Sequence, residues 1–107
     1  MQVELGKNIT VGSSNVDVGE ALTHRAKEEL IGLASKYFGK LTHGSVHFSR
    51  DGHLYRCSIT LQPGGVALLS AEAEHKDAHA AFTDSAEKLA KQLRRLKREV
   101  RDGKQPR

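Results

Sequence analysis

The chain has 107 residues, of which 37% are hydrophobic and 28% are charged. This length and composition fit one globular domain over residues 1–107, ordered over about 1–102 with a tail at 103–107, and they argue against intrinsic disorder. No apolar run approaches the roughly 20 residues that span a bilayer, and the first ten residues do not resemble a signal peptide. Together with a single cysteine, Cys57, these features predict a cytoplasmic protein that lacks a disulfide.

The positive charge is concentrated near the C-terminus. The formal net charge is +4, and between positions 88 and 101 the only acidic residue is Glu99. The basic residues of this segment are Lys88, Lys91, Arg94, Arg95, Lys97, Arg98 and Arg101. A cluster of one sign indicates a polyanionic partner more strongly than the net charge does.

The N-terminal half predicts one strand and one helix. Residues 2–9 alternate in part, with Val3 and Leu5 on one face, and Gly12 to Asn15 read as a loop. Asp17 can cap the helix that follows, with Glu20 at capping-box spacing, and Gly39 can end it. The apolar stripe of this helix comprises Val18, Ala21, Leu22, Ala26, Leu30, Leu33, Ala34 and Tyr37.

Three strands are predicted next. Residues 45–49 alternate between polar and apolar, and Asp51-Gly52 is a two-residue hairpin turn. The return strand has Tyr55, Cys57, Ile59 and Leu61 on one face. Pro63-Gly64-Gly65 makes the next turn, and residues 66–74 form the last strand.

The last predicted element is a long amphipathic helix that Asp77 can cap and that Gly103 and Pro106 end. Its apolar stripe consists of Phe82, Ala86, Leu89, Leu93, Leu96 and Val100. At about 100° per residue, Lys88, Lys91, Arg95 and Arg98 lie opposite Phe82, with Arg94, Lys97 and Arg101 on one flank.

The predicted order is therefore β-α-β-β-β-α. Each helix has one apolar stripe and the strands have one apolar face, so both helices should pack on one face of the sheet. We predict an α+β fold with a four-stranded, mostly antiparallel sheet, an arrangement like that of double-stranded-RNA-binding domains.

No catalytic or metal-binding pattern stands out. His75 and His79 are four residues apart, but Asp77 between them is the predicted start of the helix. Cys57 lies on the inward face of a strand, as a small buried hydrophobe does. The glycine turn at 63–65 joins two strands and lacks the Gly-Lys-Ser/Thr ending of a phosphate loop. We predict a protein that is not an enzyme and that has no metal, no cofactor and no small-molecule substrate.

The basic helix face has two interpretations. Most charge runs are solvated surface, but such surfaces usually mix signs, and this one has few glutamates to neutralise it. Aromatic residues are only 5% of the chain, which favours recognition of RNA backbone and shape over base stacking. A general structured-RNA-binding domain and a protein-interaction module with an acidic partner both remain open.

Several segments match, in order, the pattern of one protein family. They are Gly19-Glu20-Ala21-Leu22, Lys36-Tyr37-Phe38, Pro63-Gly64-Gly65, Ala71-Glu72, Asp77, Ala80-Ala81-Phe82 and Lys88-Leu89-Ala90-Lys91-Gln92-Leu93. In these segments the chain resembles the ribosome hibernation-promoting factors, also called ribosome-associated inhibitors or sigma-54 modulation proteins. It departs from the pattern at His79, where the family usually has tyrosine, and at Thr83, where it usually has aspartate.

The resemblance implies a ribosome-bound translation inhibitor that acts in stationary phase or stress. It implies binding to the 16S rRNA of the small ribosomal subunit, in the channel for mRNA and tRNA. The rRNA-binding residues it suggests are the seven basic residues of the last helix, with Arg25 and Lys27 of the first helix as further candidates. Long members of the family dimerise through a C-terminal domain. This chain resembles either a short form or the N-terminal domain of a long form, and its arginine-rich last helix favours the latter.

Overall fold

The structure is a computed structural model that describes residues 9–14, 16–37, 42–63 and 68–101. Its elements are β1 (Ile9–Ser14), α1 (Gly19–Tyr37), β2 (Thr42–Asp51), β3 (Leu54–Pro63), β4 (Leu69–His75) and α2 (Ala78–Arg101). The predicted order β-α-β-β-β-α is thus confirmed. The predicted C-terminal tail, 103–107, lies outside the described residues.

The four strands form one sheet in the order β1-β2-β3-β4. β1 pairs with β2 in parallel, whereas β2 with β3 and β3 with β4 pair antiparallel. The α1 helix provides the crossover between the two parallel strands, which cannot be joined by a tight turn. The prediction of a mostly antiparallel sheet is confirmed.

The core lies between one face of the sheet and both helices. On the sheet side, Val46 is paired with Ile59 and Phe48 with Cys57, and all four side chains are buried. Leu22, Ala26 and Leu30 of α1 and Phe82, Leu89 and Leu93 of α2 complete the same buried cluster. The rings of Phe48 and Phe82 meet with centroids 6.4 Å apart. Both helices therefore cover one face of the sheet, as their apolar stripes predict.

The position of the first strand was predicted wrongly. Gly12, Ser13 and Ser14, expected in a loop, are the second half of β1, where they pair with residues 47–49 of β2. Backbone hydrogen bonds form this parallel pair, so small polar residues can enter it without an apolar pattern. Residues 2–8 of the predicted strand lie outside the described residues.

Two turns also differ from the prediction. The hairpin between β2 and β3 turns at Gly52 and His53, because Asp51 is paired with Leu54. Gly52 has a φ of 64°, a conformation that glycine adopts without steric cost. The strand predicted over 66–74 begins only at Leu69; Leu68 is outside it, and residues 64–67 are not described.

The start of α1 is fixed by the predicted cap. The Asp17 carboxylate accepts a hydrogen bond from the backbone N–H of Gly19 at 3.0 Å. Gly19 has a φ of 83°, so the entry to the helix depends on a glycine. Ala21, predicted in the apolar stripe, is exposed, because it lies to one side of the fully buried row of Leu22, Ala26 and Leu30.

Gly44 occupies a place where no larger residue fits. A Cβ there would lie 2.9 Å from Leu61 Cδ1, 3.0 Å from Ile9 Cδ1 and 3.3 Å from Leu30 Cδ2. We expect Gly44→Ala to lower the free energy of unfolding by about 1–3 kcal/mol through overpacking, measured by urea denaturation. Gly32→Ala in α1 is the control: its Cβ would meet nothing within 4 Å, and alanine favours a helix. Equal stability of the two variants would contradict this.

The buried thiol of Cys57 should make the stability of the fold depend on pH. Burial raises the pKa of its thiol to about 11 from an ordinary value of 9.0, and a hydrogen bond with Ser85 opposes the shift weakly. The folded state holds this proton more tightly than the unfolded chain. The contribution of the protonated thiol to the free energy of unfolding is therefore complete below pH 9 and is lost as the pH rises towards 11. In urea denaturation, stability should fall more steeply over this window in the wild type than in Cys57→Ala; parallel curves would refute the assignment.

Candidate nucleic-acid interface

The apolar stripe of α2 fixes which side of this helix faces solvent. Phe82, Leu89 and Leu93 are completely buried and Leu96 is nearly so. At 3.6 residues per turn, this row turns Lys91, Arg95 and Arg98 away from the sheet. All three are exposed, as the sequence predicts.

Two polar side chains hold α2 against the edge of the sheet. Lys88 Nζ donates to the backbone carbonyl of Glu72 at 2.9 Å, and Gln92 Nε2 donates to that of Ser70 at 2.7 Å. Both carbonyls belong to the edge strand β4, whose free backbone groups would otherwise be open to another strand. Lys88, expected only as an RNA contact, thus also has a structural role, and the contact of Gln92 was not predicted.

A group of exposed cations follows along the helix, which we call the α2 cationic surface. Its members are Lys91, Arg94, Arg95, Lys97 and Arg98, all exposed. The ion pairs found among the described side chains, Arg25 with Glu29 and Arg56 with Glu74, include none of them. Arg101 ends α2, and its side chain lies outside those described. The five charges are therefore available to an anionic partner.

The cationic surface extends past the beginning of the edge strand β4. Gln92 lies beside Ser70, the second residue of β4, so the rest of α2 continues beyond the beginning of that strand. With 24 residues, α2 is about 36 Å long, whereas the seven residues of β4 span about 23 Å. Earlier in the helix, Asp84 and Glu87 are exposed. Charge is thus segregated along α2. The cations lie towards its C-terminal end, where they also interact favourably with the helix dipole.

Arg25 lies apart from this surface. Its guanidinium donates to Glu29 at 2.6 Å, to Thr83 Oγ1 at 2.8 Å and to His79 Nδ1 at 3.4 Å. It also lies over the Phe82 ring, 5.2 Å from the centroid. Glu29 is on α1 itself, and the other partners are in the first turns of α2, so the structure does not bring Arg25 together with the cationic surface.

The two positions that depart from the family pattern, His79 and Thr83, face the same guanidinium, that of Arg25. Sequence reasoning missed this cluster, because its members are 54 and 58 residues apart. Lys27, the second candidate on α1, is half-buried and makes no hydrogen bond or ion pair with the described residues.

The outer face of the sheet is polar but not cationic. Three of its hydroxyls are already hydrogen-bonded: Ser45 with Thr60 at 2.7 Å, and Ser58, which donates to Glu72 at 2.9 Å. Arg56 on this face is bound to Glu74, whose carboxylate raises the pKa of the guanidinium. This face lacks the excess positive charge that a polyanion requires.

The described residues include no group of three or more His, Cys, Asp or Glu side chains placed to hold a metal ion. His75 and His79 serve different local contacts. His75 Nδ1 accepts the backbone N–H of Asp77 at 3.2 Å, at the start of α2, whereas His79 Nδ1 faces Arg25. No helix within the described part of the chain is long and apolar enough to cross a membrane.

The fold and the cationic surface together define a small α+β domain that presents one basic helix. A comparison with known families identifies it more closely. The sequence profile described as "Sigma 54 modulation protein / S30EA ribosomal protein" matches residues 9–101, and the chain belongs to this family. The resemblance noted from the sequence is thereby confirmed.

Two curated relatives carry the name ribosome hibernation promotion factor. The one from Bradyrhizobium diazoefficiens is 28% identical over 94 residues, which cover 88% of this chain and 46% of that protein. The one from Rhizobium meliloti is 23% identical over 95 residues, covering 89% of this chain and 50% of that protein. The chain thus spans about half the length of these relatives.

Solved structures share the fold. The N-terminal domain of Protein Y from Thermus thermophilus superposes with a TM-score of 0.72 at 23% identity, over 80% of this chain and 93% of that domain. A ribosomal subunit interface protein from Coxiella burnetii gives a TM-score of 0.71 at 19% identity, over 83% of this chain and 96% of that one. At these identities the likeness establishes the architecture alone.

Proposed function

We propose that this chain is the ribosome-binding domain of a hibernation factor. It binds the small ribosomal subunit in the channel for mRNA and tRNA and thereby inhibits translation in stationary phase or stress. Membership of a ribosome-associated family and the names of the curated relatives support this proposal. The protein acts in the cytoplasm, where ribosomes are, and it acts by occupying a site and not by catalysis.

The observation that carries the proposal is the α2 cationic surface, five exposed basic side chains without ion pairs among the described residues. Clustered like charges repel one another, and binding to phosphates relieves that repulsion while releasing counterions from the RNA. Lys88 extends the surface towards the start of α2. Arg101, three residues after Arg98 in the sequence, and Lys27 on α1 are the further candidate contacts.

The rRNA is recognised by its backbone and shape. The described side chains on the outer face of the sheet include no Phe, Tyr or Trp ring on which a base could stack, because the rings of Phe48 and Phe82 are buried and Tyr55 lies on the core side. Arginine and lysine contacts to phosphate are independent of base sequence. The curated relatives are about twice as long as the matched segment, so pairing of ribosomes through a further domain belongs to a long form.

Co-sedimentation with purified subunits tests this function. We expect the protein to sediment with small subunits at moderate salt and not to sediment with large subunits. We also expect mRNA and tRNA bound in the channel to displace it. Equal affinity for an arbitrary RNA duplex would instead indicate a general structured-RNA-binding domain. Retention on a cellular partner after nuclease treatment would indicate an acidic protein partner.

A further inference from the structure

Arg25 joins the two helices through contacts in several directions. Its Nε donates to Glu29 on the next turn of α1, whereas its two terminal nitrogens donate to His79 and Thr83 of α2. The side chain is 33% exposed, and its guanidinium lies over the buried ring of Phe82. The guanidinium thus contacts α1, α2 and the edge of the core at once.

We propose that Arg25 is a positioning residue that fixes α2 relative to α1, so that the α2 cationic surface is held in one orientation for its ligand. This inference rests on the proposed function and refines it. It removes Arg25 from the set of phosphate ligands and gives it an indirect role.

The local hydrogen bonds support such a role. The Thr83 hydroxyl donates to the carbonyl of His79 at 2.9 Å, so its lone pairs are directed towards the guanidinium that donates to it at 2.8 Å. Glu29 holds the opposite side of Arg25 at 2.6 Å. A planar fork with three donor nitrogens matches this arrangement, whereas a lysine ammonium, a single point of charge, cannot reach all three acceptors.

The open space between α1 and α2 is the reason why the Arg25 contact can determine the angle between the two helices. Beyond Arg25, a groove of about 360 Å³ separates α1 and α2, lined by Gly32 and Leu33 on one side and by Ala86 and Ala90 on the other. The small residues Gly32, Ala86 and Ala90 leave open space between the two helices along this groove. The Arg25 cluster lies at the end of the groove nearer the start of α2, where it can set the angle of the whole helix.

The position of the cluster separates it from the ligand site. Thr83 precedes Arg94 by eleven residues, which corresponds to roughly 16 Å along a helix. A small change of angle at Thr83 is therefore magnified at the far end, where the cations lie. We expect the loss of Arg25 to displace charges that it does not touch.

The salt dependence of binding distinguishes positioning from direct contact. We compare Arg25→Lys and Arg25→Gln for affinity to small subunits over a series of salt concentrations, at a temperature where circular dichroism shows both folded. Both variants should lose about tenfold in affinity, as a lost charge-assisted hydrogen bond network implies, with the slope of log K against log salt unchanged. Lys91→Gln is the control and should reduce that slope by about 0.9, the value for one phosphate contact.

Two outcomes overturn the proposal. Wild-type affinity of Arg25→Lys together with a reduced slope for Arg25→Gln would make Arg25 a phosphate ligand. Unchanged affinity of both variants would give it no role in binding. In Thr83→Val the effect of Arg25→Lys should shrink, because the two residues act through one contact; full additivity would also contradict the inference.

A second measurement does not depend on the ribosome. Spin labels on cysteines introduced at the exposed positions Glu28 of α1 and Glu87 of α2 report the distance between the helices. Arg25→Lys should broaden or shift the distance distribution, and an unchanged distribution would refute the positioning role. If the wild type fails to bind small subunits, the proposed function fails while this test of the helix contact stands.

Discussion

Simultaneous replacement of Lys88, Lys91, Arg95 and Arg98 by glutamate is expected to lower affinity for small ribosomal subunits by at least about a hundredfold at moderate salt. Each substitution removes an attraction to phosphate and adds a repulsion. The fold should survive, because all four side chains are exposed. Among the described residues, only Lys88 of the four makes a hydrogen bond or ion pair, with the Glu72 carbonyl. Sedimentation or fluorescence anisotropy measures the loss, and circular dichroism checks the fold.

A matched pair of variants separates the site from the net charge. Arg95→Glu with Arg98→Glu changes the net charge as much as Arg50→Glu with Lys76→Glu, and all four positions are exposed. Arg50 and Lys76 lie near the β2–β3 hairpin and the start of α2, away from the α2 cationic surface. We expect a large loss for the first pair and a small one for the second. Equal losses would mean that net charge alone drives binding, and intact binding of the fourfold variant would disprove the assigned surface.

Phe82→Ala is expected to destabilise the domain by about 3–5 kcal/mol, enough to unfold a large fraction of a small protein. The ring is completely buried, packs against Phe48 and supports Arg25 from below. Its removal would leave a cavity where the sheet and both helices meet. Urea denaturation with matched m-values provides the measurement.

Leu68→Ala is the control for the loss of apolar volume. Leu68 is 59% exposed and lies just before β4, so its truncation should change stability by less than about 0.5 kcal/mol. A loss below about 1 kcal/mol for Phe82→Ala would contradict the packing described above.

The elements with strong periodicity were predictable from the sequence. The row from Phe82 to Leu96 defines α2, and the alternation around Val46 and Ile59 defines the antiparallel strands. β1 was misplaced because its pairing partner lies 35 positions along the chain, Ile9 opposite Gly44, and its second half has no apolar pattern. The hairpin turn moved by one residue because pairing between Asp51 and Leu54 sets the register.

The candidate site divides in the same way. The cationic surface was predictable because its residues follow one another on a single helix, so that spacing alone gives the face. The role of Arg25 was not predictable from the sequence, since it depends on how closely α1 and α2 approach each other at Thr83. The contacts of Lys88 and Gln92 are to backbone carbonyls, which every residue has, and no sequence pattern marks them.

Site-directed cross-linking tests the central claim most directly. Cys57 is the one cysteine of the chain and is buried, so a photo-crosslinker can be attached selectively to a cysteine introduced at Arg95 or, as control, at His53 in the exposed β2–β3 hairpin. With small subunits and light, we expect the probe at 95 to form cross-links to 16S rRNA in the mRNA and tRNA channel and the probe at 53 to form few. Cross-links from position 53 alone, or none to rRNA from position 95, would contradict binding through the α2 cationic surface.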